Sequence, residues 1–203
     1  MKLICVGRNY AAHIEELANE RPASPVLFIK PDSAILPREQ DFFIPEFSGC
    51  IHYEVELLVK ISKVGKHIDR AFAPKYYDEI SLGIDFTARD LQDQLKAAGL
   101  PWEKAKGFDG SAVIGEWLPK SSFPDLGHLR FTLERNGQVV QDGDTRQMLW
   151  KVDELIAYIS TFFTLKKGDV IFTGTPSGVG PVAPNDYLSG KLEGNEVFSL
   201  KVR

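Results

Sequence analysis

Strand-like segments outnumber helical ones in this chain of 203 residues, and the two kinds do not alternate regularly. The clearest runs, 52–61 and 80–86, alternate apolar and polar side chains, which is typical of a strand with one buried face. Further segments that we interpret as strands are 2–6, 26–30, 129–135, 138–142, 170–173 and 196–202. A doubly wound nucleotide fold requires regular strand–helix alternation. The sequence therefore favours a single α+β domain, rich in β-structure and built on antiparallel or mixed sheets, over residues 1–203.

Turn and helix signals complete this prediction. The Asn136-Gly137 pair separates two of the strand-like runs, and this dipeptide is typical of a type I′ hairpin turn. Three helices are predicted: 10–18, with Asn9 as its cap; 87–98, ending at Gly99; and 152–163, with acidic residues in its first turn.

Charge and composition exclude several classes of function. The net charge is −4 and no long run of lysine and arginine is present, so a surface for nucleic acid or anionic membranes is not expected. No apolar stretch approaches the ~20 residues of a transmembrane helix, and the first apolar run is too short for a signal peptide. Cys5 and Cys50 are too few for a disulfide scaffold, and we interpret them as reduced, buried thiols. We expect a soluble, cytoplasmic protein.

Three carboxylates form the most informative pattern. Glu54 and Glu56 are two residues apart on a predicted strand, so both side chains point to the same surface. Asp85 lies on the polar face of another strand. These residues could instead have purely structural roles: the glutamates could form a solvated polar edge, and Asp85 could cap the helix that begins at Thr87. If the three meet, they require a cation, and all-oxygen ligation indicates Mg²⁺, with Mn²⁺ or Ca²⁺ as alternatives, rather than Zn²⁺.

Other charged residues have weaker signals when taken singly. Arg89 opens the second predicted helix, where the helix N-terminus and its guanidinium suit a substrate carboxylate, and Gln92 lies one turn further on. The alternative for Arg89 is a surface ion pair with Asp90 or Asp93. By themselves, Lys30 and Lys106 are typical of surface lysines.

Two further features have both a structural and a functional interpretation. The loop 174–180 follows a strand but lacks the ending of a P-loop, so it is either a tight turn or a pocket wall in which Thr175 approaches a small ligand. His13 and Glu16 share a face of the first helix, either as a solvated pair or as an acid–base dyad.

Taken together, the motifs VGRNYAAHIEE, YEVEL, GIDFTARDLQ, KGFDG and GTPSGVGP closely resemble the fumarylacetoacetate hydrolase family. The similarity is greatest to its short branch of acylpyruvate hydrolases and oxaloacetate decarboxylases. It covers nearly the whole chain, and the ordered set is far more specific than any single motif. The resemblance implies a mixed β-sandwich roll with short peripheral helices, usually as a homodimer.

The resemblance also implies roles for individual residues. Glu16 is preferred to the adjacent Glu15 because Glu16 lies one helical turn from His13. By role, the matching positions are the metal ligands Glu54, Glu56 and Asp85; the catalytic residues His13, Glu16 and Lys106; and the substrate-binding residues Arg89, Gln92, Thr175 and Lys30.

The function implied first is divalent-metal-dependent hydrolysis of a carbon–carbon bond in an acylpyruvate or a related small ketoacid. Glu16, oriented by His13, would take a proton from water, and Lys106 would assist at the enolate. The same site also suits oxaloacetate decarboxylation or keto–enol isomerisation of dicarbonyl acids. An alternative of another class is a catalytically silent ketoacid-binding protein, which would bind metal and ligand without turnover.

Overall fold

The alternating segments form the strands of three sheets. The structure, a computed structural model, describes residues 1–17 and 20–203, and its strands in that part of the chain are β1 Leu3–Gly7, β2 Val26–Lys30, β3 Ile51–Tyr53, β4 Val55–Ile61, β5 Tyr77–Asp85, β6 Thr87–Ala88, β7 Ala112–Ile114, β8 Leu118–Pro119, β9 Arg130–Arg135, β10 Gln138–Asp144, β11 Val170–Phe172, β12 Gly180–Pro181, β13 Tyr187–Leu192 and β14 Asn195–Lys201. The helices are α1 Ala11–Glu16, α2 Arg89–Ala97, α3 Glu103–Lys106 and α4 Val152–Phe162.

The largest sheet has seven strands in the order β2-β1-β11-β4-β5-β7, with β8 also pairing with β5. It is mixed, because β1 and β11 run parallel while the other described pairs are antiparallel. A four-stranded sheet has the order β10-β9-β13-β14, and a small one joins β12, β3 and β6. The architecture is therefore β-rich with short helices, as the sequence and the family resemblance predict.

Apolar side chains cover both faces of the large sheet. The inner face contributes Leu57 and Ile84 to a core that also holds Leu133 and Leu188 from the four-stranded sheet. The outer face contributes Leu58 to a second, smaller core. Burial on both sides explains why β4 and β5 are rigid supports for the polar groups at one end of this pair.

The hairpin prediction is confirmed and its turn has the expected backbone. Asn136 and Gly137 join β9 to β10 with φ values of 55° and 78°. A type I′ turn requires both central residues in this left-handed region, which Asn and Gly adopt most readily.

The second predicted helix begins two residues later than expected, at Arg89. Thr87 and Ala88 form β6 instead of the first helical turn, because Thr87 pairs with His52 of β3. The helix N-cap is Ala88, so Asp85 is not the cap.

The first helix also differs in its capping. Its N-cap is Tyr10, and the Asn9 side chain instead bonds to the backbone of Trp150 and Thr173. A local capping rule fails here because distant backbone groups compete for the same amide. Residue 18 of the predicted helix lies outside the described residues. Cys5 and Cys50 are both free thiols, but only Cys5 is fully buried.

The predicted long strand at 52–61 is divided at Glu54. Its first part, β3, pairs in the small sheet, whereas β4 belongs to the large sheet. Among the described residues, no helix is long and apolar enough to span a bilayer.

Candidate active site

The register of β4 and β5 brings the three acidic residues together. Glu56 is opposite Gly83, and the Asp85 backbone N–H donates to the Glu54 carbonyl at 2.9 Å. Because Glu54 and Glu56 are two residues apart, both carboxylates point to the face on which Asp85 lies. One oxygen from each of the three lies within 4.8 Å of the others, and all three side chains are buried. The solvated edge that the sequence left open is therefore wrong.

Lys106 lies at the centre of this cluster. Its ammonium donates to Glu54 at 2.8 Å, Asp85 at 2.7 Å and Thr87 at 2.6 Å, and its side chain is buried. Burial acts to lower the pKa of Lys106, but Asp85 and Glu54 outweigh it and raise that pKa above its usual value. Lys106 therefore stays cationic at neutral pH.

Arg89 is a second buried cation of the site. Its guanidinium donates to Glu54 and to Gln92. The surface ion pair with Asp90 or Asp93 is therefore wrong. Asp90 instead accepts hydrogen bonds from Ser48 and Gly49 and fastens the start of α2.

Lys30 is buried completely beneath the carboxylates. Its ammonium lies 2.7 Å from Asp85 Oδ1, although this contact lacks the alignment of a hydrogen bond. It also donates to the Ser111 hydroxyl at 2.9 Å and to the backbone carbonyls of Phe86, Lys106 and Ser111. Lys30 is therefore enclosed by protein atoms, and it does not line the cavity that the carboxylates face.

The two glutamates have opposite electrostatic environments. Burial raises the pKa of Glu54, but Lys106 and Arg89 hold it well below its usual value. Burial and the neighbouring Asp85 raise the pKa of Glu56 well above its usual value. No described residue forms an ion pair with Glu56, which accepts the Gly174 N–H at 2.6 Å. A divalent cation fits this donor set for two reasons. It would supply a cationic partner for Glu56, and the three carboxylates offer the hard oxygen ligands that such an ion prefers.

The glycine-rich loop forms one wall of the site. Gly174 has a φ of 97°, and a Cβ there would lie 2.7 Å from the Asn9 Cβ. Only glycine avoids both the backbone strain and this overlap. The loop can therefore pass close to Glu56 and place the buried Thr175 at the cavity.

Gln141 of β10 connects this loop to the strand that carries the glutamates. Its amide donates to Thr175 Oγ1 at 2.8 Å and to the Pro176 carbonyl at 2.9 Å, and its oxygen accepts the Val55 N–H at 2.9 Å. The sequence analysis assigned it no role. A β-bulge next to Gln141 redirects this part of the strand, and bulges have no reliable sequence signal.

We expect replacement of Gln141 by leucine to lower the free energy of unfolding by about 1–3 kcal/mol, because the buried Val55 N–H loses its acceptor. Urea denaturation measures this change. Gln138→Leu is the matched control, since Gln138 is exposed on the same strand and its replacement should change stability by no more than about 0.5 kcal/mol. Equal losses in the two variants would contradict the proposed connection.

The two residues on α1 for which a dyad is predicted contact each other. His13 Nδ1 lies 3.3 Å from one Glu16 oxygen, and the other oxygen accepts the Gly178 N–H at 3.0 Å. Burial lowers the pKa of His13, so its imidazole is neutral at pH 7. Of the two residues, His13 is buried and lines the cavity, whereas Glu16 is exposed and is not among the lining residues.

The cavity collects most of the predicted site residues. Besides the three carboxylates, its lining includes His13, Arg89, Gln92, Lys106 and Thr175. Sequence reasoning gave no role to the seven other described lining residues, which include Arg8, Phe28, Lys96 and Trp102. The position of Lys96 had a signal, because it follows Gln92 by four residues on the same helix face.

Comparisons with known proteins agree with this geometry. The family model described as "Fumarylacetoacetate (FAA) hydrolase C-terminal" matches residues 2–199. The mitochondrial oxaloacetate tautomerase FAHD1 of Bos taurus is 40% identical over 201 residues, covering 99% of this chain and 90% of that protein. The mitochondrial oxaloacetate decarboxylase of Dictyostelium discoideum is 43% identical over 194 residues, covering 95% and 89% of the two chains.

A solved structure is similar over the full length. The crystal structure of fumarylpyruvate hydrolase from Pseudomonas aeruginosa, in complex with Mn²⁺ and pyruvate, superposes with a TM-score of 0.94 and 38% identity. The match covers 100% of this chain and 89% of that one.

Proposed function

Because the chain belongs to the fumarylacetoacetate hydrolase family, we propose that it is a divalent-metal-dependent enzyme that interconverts the keto and enol forms of oxaloacetate. The observation that carries this proposal is the buried carboxylate triad, with Lys106 bonded to two of its members and a neutral His13 on the same cavity. This arrangement supports the proposal, because a fixed cation and a neutral imidazole that could act as a base would lie beside the oxygen ligands of a hard metal ion.

The relatives change the order of the candidate reactions. The sequence analysis placed acylpyruvate hydrolysis first and isomerisation among its alternatives. Relatives about 40% identical to this chain are named oxaloacetate tautomerases, which favours isomerisation. Hydrolysis of acylpyruvates is the second candidate, supported by the likeness to the fumarylpyruvate hydrolase.

Glu54, Glu56 and Asp85 would hold the metal ion, and we assign Mg²⁺ or Mn²⁺ to it because both prefer oxygen ligands. When bound, such an ion polarises a keto oxygen and lowers the energy of an enolate. The chain's own residues supply the other parts of the reaction.

Residues of α2 and of the glycine-rich loop would orient the substrate. Arg89 is held by Glu54 and Gln92, so it presents positive charge to the substrate carboxylate from a fixed position. Thr175 uses its oxygen to accept from Gln141, which leaves its hydroxyl hydrogen available for the substrate. Lys30 has a positioning role instead, because it contacts Asp85 and the Lys106 carbonyl rather than the cavity.

Proton transfer is assigned to His13. Its neutral imidazole lines the cavity and can take a proton from the methylene carbon between the keto group and the distal carboxylate of oxaloacetate. Glu16 orients the ring and stabilises the imidazolium that forms. Lys106, which stays cationic, donates a hydrogen bond to the developing enolate oxygen. The His13 imidazolium then gives its proton to that oxygen, which forms the enol and restores the neutral base. This reverses the expected division of roles between His13 and Glu16.

A substrate panel tests the proposal. We expect the metal-loaded protein to accelerate the interconversion of enol and keto oxaloacetate, which is measured as the loss of enol absorbance. A chelator should abolish this acceleration. Pyruvate release from oxaloacetate, acetylpyruvate and fumarylpyruvate is measured in parallel. Acylpyruvate cleavage without any effect on oxaloacetate enol would instead establish the second candidate.

We expect His13→Ala to reduce the tautomerisation rate by ~10²-fold or more, the usual scale for loss of a general base. Glu16→Gln should have a smaller effect, because the glutamine still contacts His13 and the Gly178 N–H. Stopped-flow kinetics at constant metal concentration measures both. Equal losses in the two variants would mean that Glu16 is itself the base.

Location in the cytoplasm, a single domain and a homodimer stay predictions.

A further inference from the structure

Two cations without an assigned role, Arg8 and Lys96, line the same cavity as the carboxylate triad. Arg8 directly follows β1, and Lys96 is near the end of α2. Arg89, Gln92 and Lys96 follow the spacing i, i+3 and i+7, so one face of α2 borders the cavity along two helical turns. The cavity therefore has a second pair of cationic lining residues in addition to Arg89 and Lys106.

The backbone of Arg8 supports a functional role for its position. Its φ is 61°, in the left-handed region that an arginine rarely adopts. Gly7 stands immediately before it, yet the left-handed conformation falls on the arginine. A non-glycine residue persists in such a conformation only when its surroundings hold it there, and such residues concentrate at ligand sites.

The clustering of like charges is a second, independent observation. Burial lowers the pKa of Lys96, and the positive charges of Arg8 and Arg89 lower it further, while Asp93 acts in the opposite direction. Arg8 and Lys96 are therefore close enough to repel one another. An anion placed between them would relieve this repulsion.

The charge balance of the cavity points to a doubly charged ligand. Among the residues that the structure describes, four cationic side chains and three carboxylates line it, namely Arg8, Arg89, Lys96 and Lys106 with Glu54, Glu56 and Asp85. The wall thus has one excess positive charge, and a divalent ion would increase the excess to three. A dicarboxylate contributes one more negative charge to this lining than a substrate with a single carboxylate does, so it balances more of the excess.

We propose that Arg8 and Lys96 form a second carboxylate subsite, which selects 2-oxo acids that carry another carboxylate at their far end. This inference rests on the proposed function, because it assumes that the 2-oxo acid end lies at the triad. It adds a specificity determinant: the first carboxylate lies near Arg89, and the second lies between Arg8 and Lys96. Monocarboxylic acylpyruvates leave the second subsite without a partner anion.

Calorimetric titration of the Mn²⁺-loaded protein with two stable ligands of equal chain length tests this subsite. 2-Oxoglutarate has the distal carboxylate, and 2-oxopentanoate lacks it. We expect the full chain to bind 2-oxoglutarate at least ~10-fold more tightly, as one charged hydrogen-bonding partner commonly contributes. Arg8→Met and Lys96→Met should each bring the ratio of the two affinities towards one. Equal affinities in the unmodified protein would overturn the proposal.

Control variants separate the charge from the fold. Lys104→Met removes an exposed cation close to the site but outside the cavity, and it should keep the affinity ratio of the unmodified protein. Arg8→Lys should retain most of the preference because it retains the charge. Arg8→Gly relieves the backbone strain, so it should raise the melting temperature yet lose the preference. An Arg8→Gly protein with the full preference would show that Arg8 is only structural.

The outcome is independent of turnover. Binding is measured with ligands that need not react, so a lost preference for 2-oxoglutarate would overturn the subsite while oxaloacetate tautomerisation by the same protein still supports the proposed function. Tautomerisation that is absent, together with a strong dicarboxylate preference, would overturn the proposed function and leave the anion subsite standing.

Discussion

Replacing Glu56 with glutamine should stabilise the metal-free protein and at the same time abolish its stabilisation by Mg²⁺ or Mn²⁺. Glu56 is buried beside Asp85, and no described residue forms an ion pair with it. Glutamine keeps an oxygen that accepts the Gly174 N–H and removes the uncompensated charge. We expect the free energy of unfolding at pH 7 to rise by about 1–3 kcal/mol in the presence of a chelator. Urea denaturation with and without metal measures both effects, and turnover should be lost.

The raised pKa of Glu56 also predicts how the stability of the metal-free protein changes with pH. The pKa of Glu56 is raised in the folded state above its usual 4.5, so the folded protein retains its proton over a pH range in which the unfolded chain has lost it. This contribution to stability is greatest below pH 4.5 and is lost as pH rises through the folded pKa. The advantage of Glu56→Gln over the unmodified protein should therefore increase as pH rises from 4.5 to the folded pKa, and it should stay constant at higher pH.

Glu54→Gln is the matched comparison, and its effect on the metal-free protein should be opposite. Glu54 accepts from Lys106 and Arg89, so its neutralisation leaves two buried cations short of an anion. We expect Glu54→Gln to destabilise the protein in chelator while Glu56→Gln stabilises it. The same sign for both substitutions, or a full metal-induced shift in Glu56→Gln, would contradict the assignment of Glu56 as the ligand that requires the metal.

Replacing Lys30 with methionine should produce the largest loss of stability of any substitution considered for this protein. Lys30 is fully buried, and methionine has a similar volume, so packing is nearly preserved. The change removes a cation from Asp85 and a donor from three carbonyls and the Ser111 hydroxyl. Breaking a buried ion pair from one side commonly costs about 3–5 kcal/mol. Chemical denaturation and the melting temperature measure the effect.

Lys60→Met is the control for this loss. Lys60 forms an ion pair with Glu79 at 2.6 Å, but about a third of each side chain is exposed, 34% and 40% respectively. A pair in this position contributes about 0–1 kcal/mol. A loss for Lys30→Met that is as small as the loss for Lys60→Met would show that Asp85 and the carbonyls near Lys30 find other partners, and that Lys30 does not position the site.

The acidic centre is the part of the site that local sequence rules predicted best. Alternation along 52–61 and 80–86 placed Glu54, Glu56 and Asp85 on polar strand faces, and the structure brings these faces together. The rule is reliable here because side chains alternate along every strand, whatever the rest of the chain does. The same rule could not reveal that β3 and β4 separate at Glu54, since strand pairing depends on distant partners.

Lys30, Lys106 and Gln141 show where local rules stop. A lysine is usually exposed, and nothing in the neighbouring sequence of Lys30 or Lys106 distinguishes them from surface lysines. Their burial depends on the carboxylates of Glu54, just before β4, and of Asp85, at the end of β5. Gln141 likewise bonds to groups that lie 34 and 86 residues away along the chain.

By itself, then, the amino-acid order determined most of the strands, although not β13, together with the faces of their side chains, the Asn136-Gly137 turn and the family to which the motifs belong. These properties follow from the two-residue period of a strand and from preferences of single residues for particular backbone angles. Only the tertiary structure decided which charges are buried, that Glu56 lacks a cation, and that His13 rather than Glu16 borders the cavity. The physical reason is that burial and ion pairing are set by groups far apart in the chain, which come within reach only after the sheets have packed.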